Sequence, residues 1–333
     1  MLFLKIQHKP LDYMWHKHCY SKCFINYLEA MMRHFKKAAI VLLAGIALNA
    51  QAQQQTDYSK VEIKTTKIGD NFYTLEGAGG TISALTGPDG IFLVDSQFAP
   101  LTDKLVAALK KISDKPVRYL VNTHVHGDHT GGNENFAKLG ATIFSRAQLR
   151  DRLARPNPAA DGTPGKPAVE KALPVITYDH TVTLHINGEE VRLIPVRKAH
   201  TDGDTLVQFI THDVLATGDY FRTTGYPVVD LNNGGTLQGI LDGLAETIGR
   251  AGPNTKIIPG HGPITSRQGL IAGRDLILAA RDKIAPLVQQ GKTIEEVLES
   301  KPTAEFDSKV DGPTPQSAER FVRWLYNAIK EGK

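Results

Sequence analysis

The stretch His124-Val-His126-Gly-Asp128-His129 follows an apolar run, Val117–Val121, that predicts a buried strand. On an extended segment, side chains two residues apart point the same way, so the first two histidines can present imidazoles to one metal ion. A turn at the glycine lets the aspartate and the third histidine face a neighbouring position. Three histidines and an aspartate within six residues suit neither a core nor a plain surface. The stretch therefore predicts a metal site at the end of a strand.

Three further candidate ligands stand singly along the chain, each near a glycine and after a predicted strand. They are His200, Asp219 and His261. Glycine lets the backbone turn sharply and brings a side chain to a crowded centre. Alone, each of the three is more typical of a core or capping residue than of a ligand. The metal-binding interpretation therefore depends on their order after the first cluster.

Strand-like and helix-like patterns occur in both halves of the chain. Leu237–Arg250 has the spacing of an amphipathic helix, and Ile176–Leu184 predicts one strand. Between the halves, Arg155–Pro174 is rich in proline, glycine and alanine and lacks periodicity. It predicts a mobile surface loop, with either a functional or a passive role. Mixed strands and helices predict an α+β fold in which two sheets form the core and helices cover it.

The first 52 residues have the pattern of an export signal. A short basic stretch precedes the apolar run Ala38–Leu48, and the motif Ala-Gln-Ala ends at Ala52. This run is well short of the roughly 20 residues that span a bilayer as a helix. We therefore predict cleavage after Ala52 and a periplasmic or secreted protein. The predicted segments are an N-terminal extension and signal peptide over residues 1–52, with translation from Met31 or Met32, and one domain over residues 53–333.

The excess charge and the cysteines lie in that predicted signal region. The 333-residue chain has 39 Lys+Arg, 35 Asp+Glu and a net charge of +4. Residues 1–52 hold seven basic residues, two acidic residues and both cysteines, so the remainder has 32 basic and 33 acidic residues and no cysteine. Such a body excludes a disulfide framework and offers no basic surface for nucleic acid. We expect a small-molecule substrate, no nucleic-acid partner and no stable membrane insertion after signal cleavage, and the oligomeric state stays open.

In order and spacing, the candidate ligands resemble the signature of the metallo-β-lactamase superfamily, His-x-His-x-Asp-His followed by His, Asp and His. The resemblance covers essentially the whole predicted exported domain. It implies a four-layer αββα sandwich, the metallo-β-lactamase fold, with the metal site at one edge of the paired sheets. It also implies that the first metal is held by His124, His126 and His200, and the second by Asp128, His129 and His261. Asp219 would bridge the two metals, and Asp95 would support a ligand.

Two Zn²⁺ ions per chain are the expected cofactors, because imidazole and carboxylate without thiolate suit zinc, although iron and manganese accept similar ligands. Three protein ligands on each ion and one bridge leave a position open for water or substrate. The resemblance implies a zinc-dependent hydrolase in which a metal-bridging hydroxide opens a small amide or ester. Asp128 is the candidate catalytic residue, which orients the nucleophile or relays a proton.

The substrate is less closely defined by the residues. Zinc β-lactamases of the first two subclasses carry a cysteine at the position of Asp219, whereas an aspartate there resembles glyoxalase II. Export favours β-lactams, which act in the periplasm. Arg222 stands where first-subclass enzymes carry a lysine that holds the substrate carboxylate, and it could do the same or be a plain surface residue.

Hydrolysis of a β-lactam ring is the leading testable activity. One alternative is a thioesterase or lactonase of the glyoxalase II type. Another is a mononuclear-iron persulfide dioxygenase, which shares the fold but uses the first metal position alone. The complete second ligand set disfavours that dioxygenase.

Overall fold

A computed structural model describes residues 56–158, 162–310, 312 and 314–332. The predicted signal peptide, its cleavage after Ala52 and the start at Met31 or Met32 lie outside the described residues. In chain order the strands are β1 (Lys64–Lys67), β2 (Phe72–Glu76), β3 (Ile82–Leu85), β4 (Ile91–Val94), β5 (Val117–Val121), β6 (Thr142–Arg146), β7 (Ile176–Tyr178), β8 (Val182–Ile186), β9 (Glu189–Pro195), β10 (Thr205–Phe209), β11 (Val214–Gly218) and β12 (Lys256–Pro259). The helices are α1 (Thr102–Lys110), α2 (Gly127–Thr130), α3 (Asn133–Lys138), α4 (Ala147–Ala154), α5 (Leu237–Arg250), α6 (Arg267–Gln289), α7 (Ile294–Glu299) and α8 (Pro315–Glu331).

The strands form a seven-stranded and a five-stranded sheet. The first has the order β1-β2-β3-β4-β5-β6-β7 and is antiparallel from β1 to β4 and parallel from β4 to β7. The second has the order β12-β11-β10-β9-β8, in which the β11–β12 pair is parallel and the other pairs are antiparallel. Strands β3 and β4 are buried along their whole length, as expected of central strands covered on both faces.

The two sheets pack against each other, and helices cover their outer faces. Between the sheets, Phe72 of the first and Phe209 of the second meet edge to face with ring centroids 4.6 Å apart. Leu105 of α1 and Phe136 of α3 pack on the outside of the first sheet. Helices α5, α6, α7 and α8 pack on the outside of the second sheet. The predicted α+β class and the four-layer αββα sandwich are therefore confirmed. Among the described residues, no helix combines the length and the apolar character needed to cross a bilayer.

The prediction of one strand over Ile176–Leu184 is wrong. Strand β7 pairs with β6 at the edge of the first sheet, whereas β8 pairs with β9 at the edge of the second. The polar residues Asp179 and His180 lie in the bend between the two strands. The chain crosses there from one sheet to the other, which a continuous β-rich pattern does not reveal. Helix α4 was not predicted because Leu149 is its one buried side chain, too little for an apolar face.

The strand ends place the candidate ligands at one edge of the sandwich. Strands β4 and β5 are parallel neighbours, as are β11 and β12, so the carboxyl ends of each pair lie together. Asp95 follows β4 and Asp219 follows β11. The two sheets are joined at this edge, because Thr205 N donates to Thr123 O at 2.8 Å.

Candidate metal centre

The structure brings all seven predicted ligands together. Three groups form, each with donor atoms within 4.8 Å of one another: His124, His126 and His200; His124, His129 and Asp219; and Asp128, His129 and His261. The first and third groups have the composition of the two predicted ligand sets. Glycine is required beside them, because a Cβ on Gly260 would lie 1.9 Å from Asp219 Oδ1 and one on Gly80 would lie 2.1 Å from His129 Cε1.

The first set consists of three imidazoles whose outer nitrogens are held by the protein. His126 Nδ1 lies 3.0 Å from His200 Nε2, and His124 Nε2 is buried beside them. The outer contacts are His124 Nδ1 to Thr123 Oγ1 at 3.1 Å, His126 Nε2 to Asp230 Oδ2 at 2.8 Å, and His200 Nδ1 to Val228 O at 2.7 Å. Such contacts set the tautomer and the ring orientation, so that the inner nitrogen is free to bind a metal.

In the second set, carboxylates lie between two imidazoles. His261 Nε2 lies 3.1 Å from Asp128 Oδ2 and 3.3 Å from Asp219 Oδ2. His129 Nε2 lies 3.2 Å from Asp219 Oδ1 and 3.6 Å from Asp128 Oδ2. Asp219 Oδ2 also lies 3.9 Å from His200 Nε2 of the first set. The Asp219 carboxylate therefore faces both sets, which is the position that a bridging ligand needs.

Two buried atoms show that the centre is built for cations. His124 Nε2 and Asp219 Oδ1 are buried and make no hydrogen bond with any described residue. An unsatisfied buried polar atom costs about 1–3 kcal/mol, so such atoms normally have a partner. A bound metal would satisfy both atoms, and imidazole with carboxylate is a donor set that zinc accepts. The residues present therefore fit the predicted metal ions.

Two histidines of the first set, His124 and His200, are in a protonation state that allows metal binding. Burial lowers the pKa of His200 to about 4 and that of His124 well below its usual value, so both imidazoles are neutral at pH 7. Burial also acts to lower the pKa of His129, but Asp219 and Asp95 outweigh it and raise that pKa. The pKa of Asp219 is well below its usual value because nearby His129 outweighs burial. A metal at the second set therefore has to displace a proton held by His129.

Asp95 lies behind the second set, in contact with His129. Its backbone is in the left-handed region, with φ of 67°, and its side chain is buried. Its carboxylate accepts hydrogen bonds from Thr123 N and Thr123 Oγ1, both at 2.7 Å, and lies 2.8 Å from His129 Nδ1. This geometry is what the predicted supporting role requires.

Asp230 is a site residue that the sequence reasoning missed. It lies in the connection between β11 and α5 and orients His126 through the 2.8 Å contact. Burial acts to raise the pKa of Asp230, but hydrogen bonds from His126 and Asn233 outweigh it and lower that pKa. The carboxylate is therefore ionised at neutral pH and fixes a proton on His126 Nε2. A lone aspartate in a loop carries no local signal of this contact, which spans 104 residues.

Replacing Asp230 with alanine should weaken zinc binding at the first set by about 10- to 100-fold, as for other residues that orient a metal-binding histidine. Competition with a chromophoric chelator measures this affinity. Asp230→Asn keeps an acceptor for His126 and should lose less. The exposed Asp242 of α5 provides the control, Asp242→Ala. An unchanged zinc affinity in Asp230→Ala would contradict the positioning role.

Arg222 is the residue considered above for holding a substrate carboxylate. Its Nε donates to Thr224 O at 2.8 Å, and its side chain lines a cleft with Phe221, Phe306 and Lys309. Neighbouring Tyr226 is buried and stacks on Phe321 with ring centroids 5.0 Å apart, so it is part of the core.

The buried carboxylate of Asp204 should make stability depend on pH. Burial raises the pKa of Asp204 to about 7, although it accepts hydrogen bonds from Thr201 N at 2.9 Å and Thr201 Oγ1 at 2.6 Å. Because the folded pKa is raised, its contribution is fully present below the unfolded value near 4 and is lost as the pH rises towards 7. Relative to Asp204→Asn, the metal-free wild type should lose about 2–3 kcal/mol of unfolding free energy between pH 5 and pH 7.5. Urea unfolding at the two pH values measures this, and parallel pH profiles would contradict it.

The family model described as the metallo-beta-lactamase superfamily matches residues 76–269, more than half of the chain. The chain is 28% identical over 201 residues to a metallo-beta-lactamase type 2 of Elizabethkingia meningoseptica, covering 56% of this chain and 72% of that protein. It is 26% identical over 193 residues to a hydroxyacylglutathione hydrolase of Polaromonas sp., covering 57% of this chain and 65% of that protein. The match thus spans slightly less than two thirds of the latter's length.

Solved structures share the fold at low sequence identity. A metallo-beta-lactamase from Pontibacter korlensis aligns with a TM-score of 0.51 and 19% identity, covering 64% of this chain and 98% of that one. A sec-alkylsulfatase from Pseudomonas sp. aligns with a TM-score of 0.58 and 16% identity, covering 81% of this chain. The match spans 50% of the sulfatase chain.

Proposed function

Because the chain belongs to the metallo-β-lactamase superfamily, we propose that it is a hydrolase that binds two zinc ions and opens a small amide or ester. One observation carries the proposal: seven histidine and aspartate side chains converge at one edge of the sheets, and two of their buried atoms, His124 Nε2 and Asp219 Oδ1, make no hydrogen bond with any described residue. The proposed ligands of the two ions are His124, His126 and His200 for one, Asp128, His129 and His261 for the other, and Asp219 between them.

When bound, zinc ions supply an acidified water as the nucleophile and polarise the carbonyl to be attacked. The chain holds the ligands in a fixed arrangement. Asp95, Asp230 and the Val228 carbonyl each fix the outer nitrogen of one imidazole. The inner nitrogens therefore need little reorganisation when metal binds.

Asp128 is the residue proposed to move protons. Its side chain is 23% exposed, so it reaches the open side of the centre, and its Oδ2 lies 3.1 Å from His261 Nε2. Burial acts to raise its pKa, but the hydrogen bond from His261 and the charge of His129 outweigh burial and lower that pKa. Asp128 is therefore ionised at neutral pH. It can accept a proton from the nucleophile and deliver it to the leaving group.

A β-lactam is the first substrate to test. The relative from Elizabethkingia meningoseptica, a metallo-beta-lactamase type 2, supports this choice, as does the predicted export. Export remains a proposal, because residues 1–52 lie outside the described residues. N-terminal sequencing of the protein recovered from a periplasmic or secreted fraction tests it, with Gln53 as the expected first residue.

A thioesterase or lactonase is the second candidate. The observation that favours it is the aspartate at position 219, which faces both ligand sets where the first two subclasses of zinc β-lactamase carry a cysteine. The hydroxyacylglutathione hydrolase from Polaromonas sp. is a relative that agrees with this reading.

Purified protein, assayed for zinc and iron, should be screened against nitrocefin, simple lactones and acyl thioesters. We expect two zinc ions per chain and hydrolysis that a chelator abolishes and added zinc restores. Nitrocefin turnover supports the first candidate, and turnover of thioesters or lactones alone supports the second. One iron and no zinc per chain would contradict the hydrolase proposal.

A further inference from the structure

A pocket of about 270 Å³ lies against His126 of the candidate metal centre. One wall is the turn Asn232–Asn233, next to Asp230. Other lining residues come from α4 and from the segment after it, residues 156–158 and 162–168, here called the pocket segment. A substrate held at the metal centre on the His126 side would therefore contact the pocket segment.

The pocket segment is tied to both sides of the pocket. Asn157 Nδ2 donates to Asn232 O at 2.5 Å, and Asn232 Nδ2 donates to Pro158 O at 3.2 Å. At its other end, Ala168 N donates to Leu153 O of α4 at 2.9 Å. These contacts connect the segment to the turn that follows Asp230, and so to the residue that orients His126. The wall is thus part of the site's framework.

The charge on the pocket wall is positive. Among the described residues, two cations and no carboxylate line the pocket. Arg152 is neutralised by Asp202, whose Oδ2 lies 2.7 Å from its Nη2. Lys166 is exposed, and none of the described carboxylates lies within ion-pair distance of its Nζ. One ammonium group is therefore available to a ligand.

We propose that Lys166 and this pocket form a subsite that binds an anionic group of the substrate, a carboxylate, while the scissile bond lies at the metal centre next to His126. This inference rests on the proposed hydrolase function and adds a substrate class, a small ester or amide that bears a carboxylate. The ammonium of Lys166 can donate a hydrogen bond to the carboxylate, and a hydrogen bond between two charged groups is stronger than one between neutral groups.

The cleft at Arg222 is a different site. It has a volume of about 490 Å³, contains the acid Asp275 in its lining, and is not lined by any of the seven predicted metal ligands. The pocket at Lys166 includes His126 itself. The geometry therefore points to Lys166 as the residue that selects for charge.

Two esters of equal acyl length test the subsite, namely 4-nitrophenyl hemisuccinate, which carries a carboxylate, and 4-nitrophenyl butyrate, which does not. In the zinc-loaded protein, Lys166→Met should raise KM for the hemisuccinate about tenfold, as expected for losing one hydrogen bond to a charged group. The kcat for the hemisuccinate and both constants for the butyrate should change little. Lys166→Arg should keep the preference, and Lys171→Met, an exposed lysine outside the pocket, is the matched control.

Calorimetric binding of levulinate, a ketone that carries the same carboxylate but no hydrolysable bond, to the same four proteins provides a readout that does not depend on turnover. Its affinity should fall about tenfold in Lys166→Met and stay unchanged in Lys171→Met. Equal effects of Lys166→Met on both esters, or unchanged binding, would overturn the subsite. If wild type hydrolyses none of the screened β-lactams, lactones, thioesters and esters but binding still depends on Lys166, the hydrolase proposal fails and the anion subsite stands.

Discussion

Replacing Asp128 with alanine should lower kcat by about 10²- to 10⁴-fold, the range expected when a group that transfers protons is removed. The Asp128 side chain is half-buried and lies beside His261, where it is ionised at neutral pH. Alanine can neither accept a proton nor contribute to the second ligand set. The loss should appear in kcat at saturating substrate and zinc, measured with whichever substrate the screen identifies.

The fold should survive this substitution, because Asp128 lies in the short helix α2 with an exposed side, away from the sheet interior. The midpoint of thermal unfolding of the metal-free protein checks this, and Asp114→Ala, at an exposed loop position, is the control. Zinc content separates the two roles of Asp128. If Asp128→Asn keeps two zinc ions but loses turnover, the lost function is proton transfer and not metal binding. A rate near that of wild type in Asp128→Ala would refute the assignment.

The elements with strong local patterns could be predicted from the sequence. Strand Val117–Val121 and helix Leu237–Arg250 have the predicted boundaries, because the apolar pattern reaches the last residue of the strand and the last turn of the helix, at Ile248. The clustering of the stretch 124–129 also followed from local geometry, since β5 delivers it to the sheet edge. In Ile176–Leu184, β-branched residues continue on both sides of Asp179 and His180, so local sequence does not show which sheet each half joins.

The parts of the site that could not be predicted depend on distant contacts. Asp230 meets His126 across 104 residues, and Lys166 reaches the same pocket from a segment that looked like a mobile loop. Neither residue stands in a motif, and the hydrogen bond from Asn157 to Asn232 joins the segment that holds Lys166 to the turn beside Asp230. The candidate ligands were recognisable because the chemistry of metal binding restricts their types, whereas pocket walls accept many residue types.

Replacing Asp95 with alanine should destabilise the metal-free protein by about 3–5 kcal/mol. The Asp95 carboxylate accepts hydrogen bonds from Thr123 N and Thr123 Oγ1 and contacts His129 Nδ1, and all of these groups are buried. Alanine would leave three buried donors without an acceptor, each costing about 1–3 kcal/mol. Alanine would also have to adopt the positive φ that aspartate tolerates better. Urea unfolding of the metal-free protein measures the loss.

Asp95→Asn separates the stabilising role of Asp95 from its effect on the metal. Asparagine can still accept from Thr123 N through Oδ1, so the loss of stability should be smaller than with alanine. Its amide would instead donate to His129 Nδ1, which forces the proton onto His129 Nε2, the nitrogen that faces Asp219. A protonated Nε2 cannot bind a metal, so this variant should fold and carry about one zinc ion per chain instead of two. Asp70→Asn, at an exposed turn, is the control, and two zinc ions in Asp95→Asn would show that His129 does not depend on Asp95 for its tautomer.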